Sequence, residues 1–208
     1  MAENVEKGTR TQGLLRIAMT ETNPVDNILA AARRCYVEQG IAATGMKEVA
    51  AAAGVARSTV YRYFPGRDDL LIAAVAQEML VLNDFIRERL GAHPAPVDQV
   101  VEGLLLAISE IPRRPLLAAV FASEEGSRAR SVIWQSSLIE QFSEDMMTRV
   151  IQPASQAGLL QDAVAPQVLV EWVYRLLLSF LTLPSNVIGS EEELRATLHA
   201  LLVPVLLK

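Results

Sequence analysis

The sequence predicts an all-α protein of about nine helices, with an N-terminal three-helix head followed by a larger helical body. Three features of the 208 residues lead there. Hydrophobic residues make up 51% of the chain and aromatics only 5%, so burial rests on Ala, Leu and Val, a mixture that favours helices over sheets. Apolar positions recur at helical spacing in successive segments, and no stretch alternates as a strand between hairpin turns. Proline and glycine punctuate these segments at Gly40, Gly54, Pro65-Gly66, Gly91 to Pro96, Pro112 to Pro115, Gly126, Pro153 to Gly158, Pro166 and Pro184 to Gly189.

Residues 1–22 are polar, mixed in charge and weakly periodic, the pattern of a flexible arm. Asn23-Pro24 then signals a helix start, with Asn23 as N-cap and Asp26 able to reach back to it. Val25, Ile28, Leu29, Ala32, Cys35 and Tyr36 follow at helical spacing until Gly40 stops the run. Thr44 is the expected cap of a short second helix whose inner face is Met46, Val49, Ala50 and Ala53, and Gly54 ends it. A third helix runs from Arg57 to Phe64 and stops at Pro65-Gly66, because proline disfavours helical geometry in the residue before it. Asp68 and Asp69 suit the first turn of a long fourth helix reaching about Leu90. The expected domains are therefore the arm, a three-helix head over 23–67 and a helical body over 68–208.

The formal net charge is −5, yet no acid occurs between Val49 and Arg67, where Arg57, Arg62 and Arg67 lie. Much of the acidic excess falls beyond Leu70, so a small basic module is joined to an acidic body. Cys35 is the single cysteine and cannot form an internal disulfide. With only His93 and His199 there is no ligand cluster for a soft metal, and no cofactor is expected. An enzyme is not expected either, because the histidines are isolated and no Gly-rich loop precedes a helix in a strand context. The N-terminus develops no apolar signal core, which points to the cytoplasm. The longest apolar stretch, Val168 to Leu183, is shorter than a membrane span and contains Glu171 and Arg175.

Helix, tight Gly-containing turn, helix is the layout that places one helix in a DNA major groove while its predecessor braces it. At about 100° per residue, Val60 and Phe64 share the inward face of the third helix, with Tyr61 at the border. Ser58, Thr59, Arg62 and Tyr63 form one contiguous polar arc. A merely solvated face shows the same arc; a helix entering a groove would use it, since Arg reads guanine edges and hydroxyls contact bases or phosphates.

From Thr44 to Leu71 the residues TGMKEVAAAAGVARSTVYRYFPGRDDLL resemble the DNA-binding signature of the TetR family of transcriptional regulators. The likeness lies in the small-residue helix, the Gly-Val turn, the Thr-hydrophobe-Tyr-x-x-Phe helix and the charged start of helix four. It implies that Thr44 and Lys47 touch phosphates, that Ser58, Thr59 and Arg62 face bases, and that Tyr63 and Arg67 clamp the backbone, with Arg57 in the same DNA-binding set. It implies double-stranded operator DNA as partner and a repressor as the role. The chain departs from the pattern at Ala56, where the family usually has a capping Ser or Thr, and at Pro65, where a polar or basic residue is common.

Val168 to Leu183 is apolar almost all round, with a narrow polar stripe of Gln167, Glu171, Arg175, Ser179 and Thr182 and an i, i+4 pair of Glu171 with Arg175. A second apolar helix, Leu194 to Leu207, follows. Two such helices need cover on two sides, which a homodimeric four-helix interface supplies. Trp134, Leu138, Phe142 and Met146 fall on one helical stripe, with Leu104, Leu105, Ile108 and Phe121 available to face it and Trp172, Arg175, Tyr174 or Glu102 as polar anchors. Ordinary core packing gives the same stripe. The functional alternative is a pocket for a small, mostly apolar effector. Against the repressor stand two other readings, a helical dimeric interaction protein and a DNA-binding regulator without a ligand.

Overall fold

The computed structural model describes residues 23–91, 96–123, 126–136, 148, 152–156, 158–160, 165–183 and 185–206. Among these the protein is helical and has no β-strand, as expected. The helices are α1 (Asn23–Gln39), α2 (Met46–Ala53), α3 (Arg57–Tyr63), α4 (Arg67–Leu90), α5 (Pro96–Glu110), α6 (Pro115–Leu117), α7 (Ser127–Gln135), α8 (Gln152–Gln156), α9 (Pro166–Thr182), α10 (Glu191–Leu201) and α11 (Val203–Leu206). A 3₁₀ turn covers Ile111–Arg113, and α6 continues as a π-helical turn over Ala118–Ala122. None of the described helices is long and apolar enough to cross a membrane. The chain forms two compact units, one drawn from 1–81 and 114–139 and the other from 82–113 and 140–208.

In the first unit α1 packs on α2 and α6, and α2 packs on α3. Val25, Ile28, Leu29, Ala31, Ala32, Cys35 and Tyr36 of α1 are buried, as are Met46, Val49, Ala50 and Ala53 of α2. Polar side chains fix the crossings. Asn27 Nδ2 donates to the Ala53 carbonyl at 2.8 Å, which satisfies a free carbonyl at the end of α2. Arg33 Nη1 lies 2.7 Å from Glu78 Oε1, tying α1 to α4. The chain turns out of α1 at Gly40 (φ +87°) and out of α2 at Gly54 (φ +66°), conformations that cost a side-chain-bearing residue about 1 kcal/mol or more. At the second turn the Val55 N–H donates to the Ala50 carbonyl and that of Gly54 to Ala51, a Schellman closure.

The expected cap of α2 needs correcting. Thr44 is buried and donates its hydroxyl to the Gly40 carbonyl at 2.9 Å, whereas Gly45 stands at the N-cap and its N–H donates to the Glu48 carboxylate at 3.0 Å. Burial turns the Thr44 hydroxyl inward to the nearest free carbonyl, which leaves the capping to Glu48.

The π-helical turn is held from α7. Arg130 Nη1 donates to the carbonyls of Val120 (3.0 Å) and Ser123 (2.7 Å), and the Gly126 N–H donates to Ser123 Oγ at 3.1 Å. A Cβ at Gly126 would collide with the Val120 carbonyl. α7 ends at Gln135, because Ser136 is extended and its hydroxyl donates to the Ile133 carbonyl at 2.6 Å. The stripe from Trp134 through Leu138, Phe142 and Met146 is therefore not one uninterrupted helix. The last three positions lie outside the described residues.

The core of the second unit joins Val100, Val101, Leu104 and Leu105 of α5 to Leu169, Val170 and Val173 of α9 and to Leu194, Leu198 and Leu202. Arg195 of α10 clamps Glu102 of α5 through Nε (2.6 Å) and Nη2 (3.1 Å), and also reaches Glu191 at 2.8 Å. Ser190 and Glu193 form the capping box of α10. From the Gly126 packing we expect Gly126→Ala to be among the most destabilising single-methyl additions in the chain, by about 1–3 kcal/mol, read as a lowered urea midpoint.

Candidate nucleic-acid interface

Helix α3 is only seven residues long. Val60 and Phe64 hold it, both fully buried. Burying a side chain of this size is worth about 1.5–3 kcal/mol, enough to seat a helix that would not persist alone. Phe64 is extended (φ −126°, ψ 102°), as the residue before Pro65 should be, and the helix ends there. At the other end Ala56 occupies the N-cap and offers no side-chain hydrogen bond, so the departure noted in the sequence leaves the first turn uncapped.

With Val60 and Phe64 inward, Ser58 and Arg62 are exposed, while Thr59 and Tyr63 are half-buried at the edges of the same outward surface. Arg57 is exposed at the start of the helix and Lys47 is exposed on α2. The arc expected from the sequence is thus brought together on one side of α3. Two arginine–tyrosine pairs lie on it. Arg57 sits 5.3 Å from the Tyr61 ring centroid and donates to its hydroxyl at 3.0 Å, a hydrogen bond that holds the guanidinium still further above its ordinary value. Arg62 lies 4.9 Å from the ring of Tyr63 and donates to that hydroxyl at 3.2 Å. Tyr61, placed at the border by its helical angle, proves 40% exposed and belongs to the surface. The spacing of Arg57 and Tyr61, four residues apart on a helix, was the signal that could have found it.

Two residues of the expected DNA-binding set are placed differently. Thr44 is buried, with its hydroxyl committed to Gly40. Arg67, the first residue of α4, donates through Nη2 to the carbonyls of Ile41 and Ala42, the latter at 2.8 Å. Beneath them Tyr36 is buried, which pushes its phenol well above the usual tyrosine range.

A short helix braced by its predecessor across a glycine turn, with an uninterrupted cationic and hydroxylic arc facing out, is built to enter a DNA groove. Residues 28–74 match the model of the bacterial regulatory proteins of the tetR family. The match spans most of the head and the start of α4. It is similar to an HTH-type transcriptional regulator of Mycobacterium tuberculosis, with 27% identity over 180 residues covering 86% of this chain and 84% of the relative. It is 44% identical over 82 residues to the HTH-type transcriptional repressor LfrR of Mycolicibacterium smegmatis, covering 38% of this chain and 42% of that one. Its fold matches a tetR-family regulator from Shewanella with a TM-score of 0.65 at 18% identity, covering 90% of this chain and all of the other. These likenesses support a DNA-binding transcriptional regulator.

The candidate effector residues are scattered by comparison. Leu105 is buried and Ile108 half-buried in the second unit, where both line one cavity. Trp172 is 40% exposed, and Arg175 is exposed and paired with Glu171 at 2.8 Å, as its spacing suggested. Neither is among the residues lining that cavity. Phe121 is buried and Trp134 38% exposed in the first unit, and Leu138 and Phe142 lie outside the described residues. Glu102, considered as a polar anchor, is taken by Arg195. The uncapped start of α3 leads to a direct expectation. Ala56→Ser should supply the missing acceptor and stabilise the head by about 0.5–1 kcal/mol, measured as slower amide exchange over residues 57–60.

Proposed function

We propose that the chain is a homodimeric, cytoplasmic repressor that binds a pseudo-palindromic operator and is released by a small, mostly apolar effector. The observation that carries the DNA-binding half is the arc of α3. Arg62, Thr59 and Ser58 are assigned to base edges, and Lys47, Arg57 and Tyr63 to phosphates, since base contacts specify and phosphate contacts position. The short match to LfrR, a repressor by name, falls in with that role.

Dimerisation is inferred from surface that one protomer leaves open. On α9 Val168 is 54% exposed beside Trp172, and on α10 Leu201 is 69% exposed. Large apolar side chains gathered on two consecutive helices mark an interaction surface, and a twofold axis through them would set the half-site spacing. The effector is assigned to the second unit. A cavity of about 300 Å³ there has Leu105, Ile108, Phe180, Ile188 and Leu194 among its lining residues, at the low end of the size of small-molecule sites. Coupling to DNA is assigned to α4, a single helix from Arg67 to Leu90 that starts one Pro-Gly turn after α3. A coupling of about 1–3 kcal/mol changes operator affinity by about 5- to 150-fold, provided the effector prefers the DNA-incompatible arrangement.

Selection of bound fragments from genomic DNA, followed by titration at several salt concentrations, tests the reading; no retained fragment would overturn it. On the selected site Arg62→Ala should cost about 1–3 kcal/mol and relax preference at one position, whereas Lys47→Ala should weaken all sequences alike and reduce the salt slope by about 1. For the dimer, sedimentation of Trp172→Glu with Leu201→Glu should show a monomer where the parent shows a dimer. A parent that is monomeric and folded at micromolar concentration would contradict the assembly.

A further inference from the structure

The turn between α1 and α2 is closed from two directions. Gly40, in the left-handed region, presents a carbonyl that accepts from the Thr44 hydroxyl at 2.9 Å and from the Thr44 N–H at 3.2 Å. The next two carbonyls, Ile41 and Ala42, both accept from Arg67 Nη2. Three consecutive backbone acceptors are thus satisfied by two side chains, one within the turn and one at the start of α4. The turn leads directly into Gly45, which Glu48 holds, and so into Lys47. Tyr36 is buried nearby, close enough for its phenol to feel the Arg67 charge.

We propose that Arg67 is a positioning residue of the DNA-binding head. It fixes the N-terminus of α2, and with it Lys47, against the start of α4 instead of spending its charge on a phosphate. The proposal rests on the DNA-binding function put forward above and assigns Arg67 a place in it. Swinging Arg67 out to meet DNA would strip the carbonyls of Ile41 and Ala42 of their donor, which is costly at the part-buried Ile41 bond, where water replaces a lost partner less readily than at the exposed Ala42. Because Arg67 belongs to α4, the tie also gives that helix a hold on α2 that does not pass through α3. A movement at the start of α4 would then reach both helices of the DNA-binding motif.

Two variants of the full chain separate positioning from direct contact. Arg67→Met keeps an apolar stem of similar reach and removes the donors; Thr44→Val is nearly isosteric and removes only the hydroxyl that holds Gly40. Both should weaken binding to the selected DNA site by about tenfold. The slope of log K against log salt should change alike in the two variants, because both act only by loosening the hold on Lys47. In the DNA-free protein both should speed amide exchange across residues 41–48, leaving the buried middle of α1 unchanged. A slope reduced by about 1 in Arg67→Met alone, with exchange at the turn unchanged, would make Arg67 a phosphate contact and overturn the proposal. So would parental affinity and exchange in both variants. A parent that retains no DNA would overturn the function proposed above instead, and the exchange measurement would still decide whether Arg67 holds the turn. If Arg67→Met does not fold, Thr44→Val alone decides, since it carries the same prediction for affinity and exchange.

Discussion

A helix of seven residues does not hold itself together in water, and the helix that carries the reading surface has seven. Its existence is on loan from the burial of Val60 and Phe64, and that burial depends on α1 and α2 being placed first. The order of dependence runs backward through the chain. Asn27 anchors the end of α2, Gly54 turns the backbone where a Cβ would strain it, and Pro65 forces Phe64 into the extended form that ends α3 with its ring inside. The outward arc is the remainder of this packing. Once two residues of a short helix are committed inward, helical geometry leaves the others little freedom over where they face.

That logic explains why the head was legible. Its helix limits are written in glycines and prolines, whose backbone preferences act within one or two residues and need no tertiary context. The inner face of α2 followed from spacing residue for residue, and that of α1 in all but Ala31. What escaped reading were side chains whose partners are remote in sequence or whose choice depends on burial. Thr44 looked like a cap because threonine before a short helix usually is one, but only the folded turn shows the free Gly40 carbonyl that claims its hydroxyl. Arg67 stands 25 and 26 residues from the carbonyls it bonds, a separation with no local signature.

The body was legible only in outline. Among the described residues α4 and α9 appear close to where the sequence placed them, but α8 falls in a segment read as a break and the expected helix from Leu194 to Leu207 is divided between α10 and α11. The pairing of Arg195 with Glu102 spans 93 residues and removes a carboxylate that looked free for a ligand. The Trp134 stripe failed for a different reason. Periodicity extends a helix through any run that keeps the beat, and it does not register that Ser136 can satisfy the Ile133 carbonyl with its own hydroxyl and let the chain leave helical geometry. Gly126 is the subtler case. Its φ is unremarkable and any residue could adopt it, so nothing local explains a glycine; the reason is the Val120 backbone lying where a methyl group would go.

The arginine–tyrosine pairs on α3 bear on how such a protein searches a genome. Arg57 and Arg62 each begin with a ring face and a hydroxyl as partner, so any DNA must compete with a contact the protein makes to itself. A competing internal state lowers apparent affinity by the fraction of time the side chain is free. At Arg57, assigned to a phosphate, that factor is the same for every sequence and shortens dwell time on the large excess of wrong sites; at Arg62, assigned to a base, it falls on the sites whose base it reads. Some of the rotamer entropy of the arginines, about 2 kcal/mol for a free side chain, has also been surrendered before DNA arrives. Scanning becomes faster and less sticky, and the ordering that remains at the correct site is smaller than two freely moving arginines would demand.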